Sequence, residues 1–542
     1  MLKPISRATL LKGLAGLAIA GGSAELLFQI LGKSSNIPCR ILGPSVALGH
    51  ALRDKRIGSV PPDVPVTETA VTIIGGGIAG LSAAWWLKKQ GFNDFTVLEL
   101  EPDVGGNSRS GRNQVSAYPW GAHYVPLAND ESVYVRMLFE ELGIVNGADS
   151  KGVPIYNDLY LCHEPQERLL KDGSFQEGLI PRRGLQNSER EEMSRFFAQM
   201  DKFRRMIGSD GKPAFAIPLD LSSQDKDILR LDQISMAEWL KGNDFHAKPL
   251  LWYVNYCCRD DYGSSINNVS AWAGVHYFAG RRGRAANAEL NSVVTWPEGN
   301  GFIVNKLKER LQSHVETNAL VVKVAKNEGA VTSYMNTKTN SHRVIKSKCV
   351  IFAAPRFLAP HLIDDYRKHE AQEPVYAPWL VANLTLKRIP SERGIQLAWD
   401  NVSYLSNSLG YVVATHQNIT TREGATVITY YYPLSQNDPA IERGQMLKSS
   451  AQEWRKLVTE DLEKMHPGIT EEILSIDIWP WGHGMIRPSV GFLWGETRDK
   501  MKESHGNVFF AHSDMSGMSN FEEAQYHGVE AATRVLSKLK QV

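Results

Sequence analysis

The stretch that most constrains this chain is residues 71–109, VTIIGGGIAGLSAAWWLKKQGFNDFTVLELEPDVGGNSR. Val71 to Ile74 is a short apolar run, the pattern of a parallel strand buried on both faces. Gly75, Gly77 and Gly80 then give G-x-G-x-x-G. In that pattern the first glycine permits a tight turn and the second lets the backbone approach a pyrophosphate. The third lets the following helix lie close against the strand. The helix is predicted to run to about Gln90, with Gly91 as its stop. Phe95 to Leu98 is a second strand, and Glu99 sits at its end, where a carboxylate can accept hydrogen bonds from both hydroxyls of a ribose. The helix N-terminus carries unpaired N–H groups and a partial positive charge that suit phosphates. Strand, glycine turn, helix, strand and terminal acid in this order specify a βαβ unit built for a dinucleotide.

A glycine pair, Gly105-Gly106, follows Glu99 in the run LELEPDVGGNSRSG. Acid, then glycine pair, resembles the signature of the FAD-binding amine oxidase and phytoene desaturase superfamily. The resemblance implies an α/β fold: an FAD-binding Rossmann-like domain with an interleaved α+β substrate domain. It also implies FAD as cofactor and Gly75, Gly77, Gly80, Glu99, Gly105 and Gly106 as cofactor-binding residues. The family's arginine directly after the pair is Asn107 here; Arg109 or Arg112 would supply the positive charge for the phosphates.

The rest of the chain is consistent with this resemblance in pieces. After a proline, Trp120-Gly121-Ala122-His123-Tyr124 matches the family's small-residue pair beside the flavin ring, with Gly121 and Ala122 leaving room for it and His123 either facing the flavin or bonded in the domain interface. Trp296 to Gly301, the helix FIVNKLKERL and VETNALVVKV resemble the second cofactor segment, and Val321 matches the position whose backbone contacts the adenine. KCVIFAAP resembles the strand that closes the nucleotide domain. NVFFAHSDMSGMSNFEEAQYHGVEAATRVL resembles the C-terminal flavin motif. It implies Ser513 or Asp514 at the ribityl and pyrophosphate, and the Phe521 and Glu522 amides near flavin N1 and O2. A helix N-terminus there would stabilise an anionic reduced flavin by about 0.3–2 kcal/mol.

A chain of 542 residues is too long for one ordinary core, so more than one domain is expected. The cofactor domain is predicted from 69–125, 296–360 and 476–542, and the substrate domain from 126–295 and 361–475. Ser188 with Glu191 and Ser235 with Glu238 read as capping boxes. The aromatic runs WYVNYCCRDDYG and SAWAGVHYFAG read either as cavity walls or as interface packing, with Arg259, Asp260 and Asp261 pairing among themselves. Many members of the resembled family carry a lysine early in the strand after the Ala-Pro segment; Trp379-Leu380-Val381-Ala382 has none. Trp481 and His483, in WPWGHG, are placed at the substrate face, and His483 is the candidate acid/base, with a structural histidine as the alternative.

A net charge of +1 argues against a nucleic-acid partner. The five cysteines have no metal-ligand spacing, and no metal site is expected; Cys257-Cys258 is either a vicinal disulfide or two buried thiols. Ser6 to Lys12 resembles a twin-arginine export motif with Ala8 at the second arginine position, so residues 1–32 are read as a signal segment for export machinery and a periplasmic destination, or else as an uncleaved amphipathic helix. Residues 33–68 read as a linker. Three functions stay open: an FAD oxidase or dehydrogenase of an amine or similar C–H donor, an FAD-dependent desaturase or isomerase of an apolar molecule, and a non-catalytic FAD-fold escort. The partner in the first two is a small molecule; membrane contact and oligomeric state are left open.

Overall fold

The structure is a computed structural model that describes residues 37–57, 60–61, 63–366, 373–389, 394–418 and 424–541. The expected signal segment lies outside the described residues. Two large sheets organise the chain. The first has seven strands, with a parallel centre made by Val315–Glu316, Phe95–Leu98, Val66–Ile74 and His342–Phe352 in that order. Val508–Phe510 adds parallel to the C-terminal half of His342–Phe352, and the antiparallel strands Ala330–Asn336 and Ala319–Lys326 extend from its other half. Val71 to Ile74 are all buried, as a central parallel strand requires. The helices Ile78–Lys89, Gly301–Leu311 and Phe521–Leu539 pack around this sheet. Gly528 allows the C-terminal helix to close on the first one, because a Cβ there would meet Ala79 O at 2.2 Å.

The second sheet has eight strands in the order Cys39–Ile41, Ile473–Ile486, Tyr376–Leu386, Thr426–Pro433, Tyr411–Val413, Asp400–Ser403, Glu167–Lys171 and Ser174–Glu177. Helices Asn187–Arg205, Met236–Gly242, Lys248–Tyr262 and Ala271–Ala279 share its apolar core.

Several boundaries differ from the sequence reading. Residues 33–68 are not a plain linker: Cys39–Ile41 is an edge strand of the second sheet, paired in parallel with Ile476 to Ile478, and Val46–Arg53 is a helix. Arg40 fixes that strand through two 2.8 Å bonds to Asp477. The expected boundary at 476 falls inside the long Ile473–Ile486 strand, which stays with the second sheet. The chain rejoins the first sheet only at Val508. The Ser235–Glu238 capping box is present, whereas the box on the Asn187–Arg205 helix is made by Gln186 and Glu189, two residues earlier than Ser188 and Glu191. All five cysteines are free thiols. No helix among the described residues is long and apolar enough to cross a membrane.

Candidate active site

The glycine turn is held as its spacing requires. Gly75 has φ +103°, and a Cβ on Gly80 would sit 1.9 Å from Gly75 O, so neither position tolerates a side chain. Gly77 caps the N-terminus of the Ile78–Lys89 helix with no side-chain cap, leaving its first N–H groups available. The glycine pair folds back onto this turn: Gly105 N–H donates to Gly76 O at 2.8 Å. A Cβ on Gly77 would meet only Gly106 Cα, at 3.9 Å, so the two loops touch backbone to backbone and leave a gap beside that contact that no side chain fills.

Glu99 lies under that gap. Its Oε2 accepts the Gly76 N–H at 2.7 Å and its Oε1 the Glu101 N–H at 2.9 Å. Burial pushes its pKa up, and those two N–H bonds offset part of the rise. Each oxygen keeps a second lone pair for a ribose hydroxyl. Arg109 faces Glu101 at 3.5 Å and stacks over Trp479. Asn107 donates to Gly484 O at 2.6 Å, which ties the glycine pair to the second sheet. Val321 is buried at a bulge in its strand.

Gly121 and Ala122 lie on the other side of Asn107. Ala122 N–H donates to Asn107 O, and a Cβ on Gly121 would come within 2.5 Å of that oxygen. Asp514 is buried, with 1% of its surface exposed. Its Oδ2 accepts from the Arg356 N–H and the Tyr376 hydroxyl, both at 2.8 Å, and His512 lies 3.0 Å from Oδ1. Burial works to raise its pKa, but the His512 imidazole and these donors hold it below the ordinary carboxylate value. Ser513 is buried beside it. The Phe521–Leu539 helix starts at Asn520 with no side-chain cap, and the Asn520 Oδ1 has no partner.

Asn107, the Gly121-Ala122 pair and the start of the Phe521–Leu539 helix border a cavity of about 180 Å³ that residues of the second sheet and its helices close. One end is walled by Asn107, Gly121, Ala122, Asn300, Phe521 and Glu522. The other is walled by Tyr256, Asp260, Asp261, Tyr277, Arg281, Asp400 and Tyr431, with Trp379 and Trp481 at the side. Tyr431 joins the ends by donating to Gly121 O at 2.9 Å. His123 lines the cavity and packs 4.6 Å from the Tyr431 ring. Burial lowers its pKa to about 4, so it is neutral at physiological pH. Burial raises Glu522 to about 7.

The structure separates the sequence-predicted residues. Gly121, Ala122, Asn107, Phe521, Glu522 and Trp481 share the cavity wall. His483 does not line it. Its ring stacks on Phe357 at 4.4 Å, and burial, with Arg443 adding, lowers its pKa to about 4. The Trp481 indole is tied to Trp120 O at 2.6 Å. Arg259 does not pair with its neighbouring aspartates; it turns to Ser435 and Asn407, and Arg281 takes Asp261 instead, at 2.8 and 3.1 Å. The sequence reading missed Arg281, Asp400 and Tyr431, which carry no local motif.

A model of the flavin-containing amine oxidoreductase family matches residues 78–536. A probable flavin-containing monoamine oxidase A from Dictyostelium discoideum is 24% identical over 302 residues, covering 53% of this chain and 58% of that protein. The aligned stretches amount to between 8% and 58% of the length of the curated relatives. Among solved structures, wild-type putrescine oxidase bound to putrescine superposes with a TM-score of 0.64 at 17% identity, over 87% of this chain and 100% of that one. A fatty acid isomerase from P. acnes, which produces CLA, gives 0.60 at 18% identity, over 88% and 99%. The chain belongs to the flavin-containing amine oxidoreductases, and FAD is its cofactor.

Proposed function

We propose that the protein is an FAD-dependent oxidoreductase that takes a hydride from an amine, or a similar C–H donor, in the cavity between the sheets. The carrying observation is the convergence in one cavity of Gly121, Ala122 and the uncapped helix start at Phe521 with an aromatic and carboxylate wall from the second sheet and the helices packed on it. The gap between Gly77 and Gly106, the lone pairs of Glu99 and the unpartnered Asn520 and Asn300 oxygens fit FAD. The Gly77 helix N-terminus would receive the pyrophosphate, Glu99 the ribose, and the Phe521–Glu522 N–H groups the flavin N1 and O2. When bound, FAD supplies the hydride acceptor.

The protein's residues do the rest. Tyr431, Tyr256 and Trp379 exclude water and hold the donor between aromatic faces. His123, beside Ala122, is neutral, and with its pKa near 4 it is too weak a base to deprotonate an ammonium; it sets no positive charge against the substrate, which enters the reaction as the free base. The carboxylates favour an amine over an apolar desaturase substrate, because burying Asp260 and Asp400 against a hydrocarbon leaves them uncompensated. We also propose export of the folded flavoprotein, supported by the Ser6 to Lys12 run.

The test uses the purified protein. It should be yellow, release FAD on denaturation, and bleach anaerobically with amines but not with polyenes. Bleaching by polyenes alone would favour the desaturase reading, and a protein that neither carries nor takes up FAD would contradict the proposal.

A further inference from the structure

A second cavity, of about 300 Å³, lies against the first. It is walled by Ser132 to Val135 at the start of the Val133–Glu141 helix, by Pro218 and Leu221, and by one side of the Phe521–Leu539 helix. Its outer edge reaches the surface at Val133, which is 47% exposed. Glu522 is the one described residue that lines both cavities, and it is itself buried, at 4% exposed. Ile217 lines the first cavity and Pro218 the second, so this segment and Glu522 form the partition between them.

The groups around Glu522 leave its carboxylate open to a proton. It takes a hydrogen bond from its own backbone N–H, while Arg281, across the first cavity, is held by Asp261. Glu523 turns the other way, accepting the Leu219 N–H at 2.6 Å and the Ser516 hydroxyl. Beside the second cavity Glu131 is paired with Arg282, and Glu530 accepts the Tyr134 hydroxyl at 2.8 Å. Tyr526 and, further off, Tyr156 are neutral there, since burial raises both phenols. No Lys, Arg or His among the described residues lines the second cavity. Gln525, 0% exposed, lines it with its Oε1 unpartnered. A buried acceptor of this kind is satisfied by water, and one water needs roughly 10–15 Å³. The second cavity is therefore a polar passage with room for several waters, running from Glu522 to the surface. Burial, opposed by the N–H bond and by Arg281, raises Glu522 to about 7, so it changes charge near neutral pH.

An alkylammonium, like the lysine side chain, keeps its proton up to about pH 10, so at pH 7 fewer than roughly one amine in a thousand is the free base. Hydride leaves from the free base, whose nitrogen lone pair stabilises the cation that forms. A group in the cavity has to take the proton and pass it on. His123 is too weak a base. Asp260 and Asp400 stand at the far wall and do not line the second cavity. Glu522 stands at the end shared with Gly121 and Ala122, where the reacting amine must sit. We propose that Glu522 is the base that takes the proton from the bound ammonium and delivers it through the second cavity to solvent. The N–H bond breaks, its electron pair stays on nitrogen, and the proton joins the Glu522 carboxylate. Water in the second cavity then takes that proton, which restores the carboxylate for the next turnover. This rests on the amine reading above.

The FAD-loaded enzyme and its Glu522→Gln variant would be reduced anaerobically with butylamine from pH 7 to pH 10, with flavin content measured in each. The variant should fall in kcat/KM by about a hundredfold or more at pH 7, the yield of a positioned base. That deficit should all but vanish near pH 10, where the amine is already the free base. A deficit of the same size at every pH, or none at pH 7, would overturn the base. Two further variants leave Glu522 intact: Leu221→Trp and Val133→Trp each fill the second cavity. With a pH-indicator dye in weak buffer at pH 8, the wild type should release a proton in step with flavin reduction, and these variants should release it with a lag. Release without a lag in both would overturn the passage. If no amine reduces the flavin, the oxidoreductase reading fails separately. In that case binding of butylammonium at pH 8, read from the flavin absorption, should still release a proton from the wild type and none from Glu522→Gln. No release from the wild type would overturn Glu522 as the acceptor.

Discussion

The two parts of the site recognise their ligands by different means. The cofactor part, which extends beyond the cavity wall, is made of backbone: a glycine turn, a facing glycine pair, two uncapped helix starts and one carboxylate, Glu99. The far end is made of side chains brought from separate elements: Asp260 and Asp261 from one helix, Arg281 from the loop after the next, Asp400 and Tyr431 from two strands of the second sheet. Backbone recognition has to be written locally, because a loop needs glycine at fixed spacing to come close to a phosphate. Side-chain recognition needs only that the fold deliver the groups, and it leaves no spacing behind. One half of the site is therefore legible from local spacing, and the other is assembled only by the fold.

The largest effect is expected from breaking the backbone half. Gly77→Val places a side chain in the gap toward Gly106, and the purified variant should carry no FAD, measured as flavin per protein after gel filtration. Retention of full flavin would remove the glycine gap from the cofactor site. Glu99→Ala removes an acceptor of two backbone N–H groups and of the ribose; a charged hydrogen bond is worth about 1.5–3 kcal/mol, so FAD affinity should fall by about tenfold to a hundredfold in a reconstitution titration.

A third test concerns the buried acids. Burial raises Asp260 and Glu522 to about 7 and Glu523 to about 8, so each holds its proton in the folded state after the unfolded chain has lost it. Their contribution to stability is present at low pH and lost as pH rises through those values. The buried histidines act oppositely: His123, His276 and His527 lie near 3 to 4 when folded, against an ordinary 6.5, so they lower stability as pH falls below that value. Above about pH 6.5 the acids act alone, and the melting temperature should decline from there to pH 8. Glu523→Gln should flatten that decline, and a rising melting temperature over the same window would refute the assignment. The smallest effect is expected at His483. It stacks on Phe357 outside the cavity wall, so His483→Ala should slow flavin reduction by no more than about tenfold, below the 10²–10⁴ of a true acid/base.

These contrasts also explain what the sequence revealed. The parallel sheet around Val71–Ile74, the glycine turn, Glu99 and the C-terminal helix start were legible, because apolar runs and glycine spacing encode them directly. Cys39–Ile41 was not, because a three-residue edge strand with mostly exposed side chains has no period; Arg40–Asp477 and the Ile478 backbone hold it in place. Ile473–Ile486 was divided in the wrong place because nothing in the run itself marks which sheet it joins; it pairs with Tyr376–Leu386 from Ile473 to Ile486. The Arg259-Asp260-Asp261 run suggested a local ion pair, yet a helix turns successive residues apart, and Asp261 found Arg281 instead. His483 was drawn to the site by Trp481, two residues away and on the same face of a regular strand, but the register with Tyr376–Leu386 shifts between Trp481 and Met485, and Gly484 rather than His483 lines the cavity.

The central claim is that a carbon-bound hydrogen of the donor passes to the flavin in the cavity where the two halves meet. Stopped-flow anaerobic reduction with an amine deuterated at the carbon bearing nitrogen tests it most directly. The account expects saturable bleaching of the flavin that is markedly slower with the deuterated donor, and slower in Tyr431→Ala, which loosens the link between the cavity's two ends. Equal rates for the two isotopologues with this bond-breaking step isolated, or an FAD-loaded protein that no amine reduces, would contradict it.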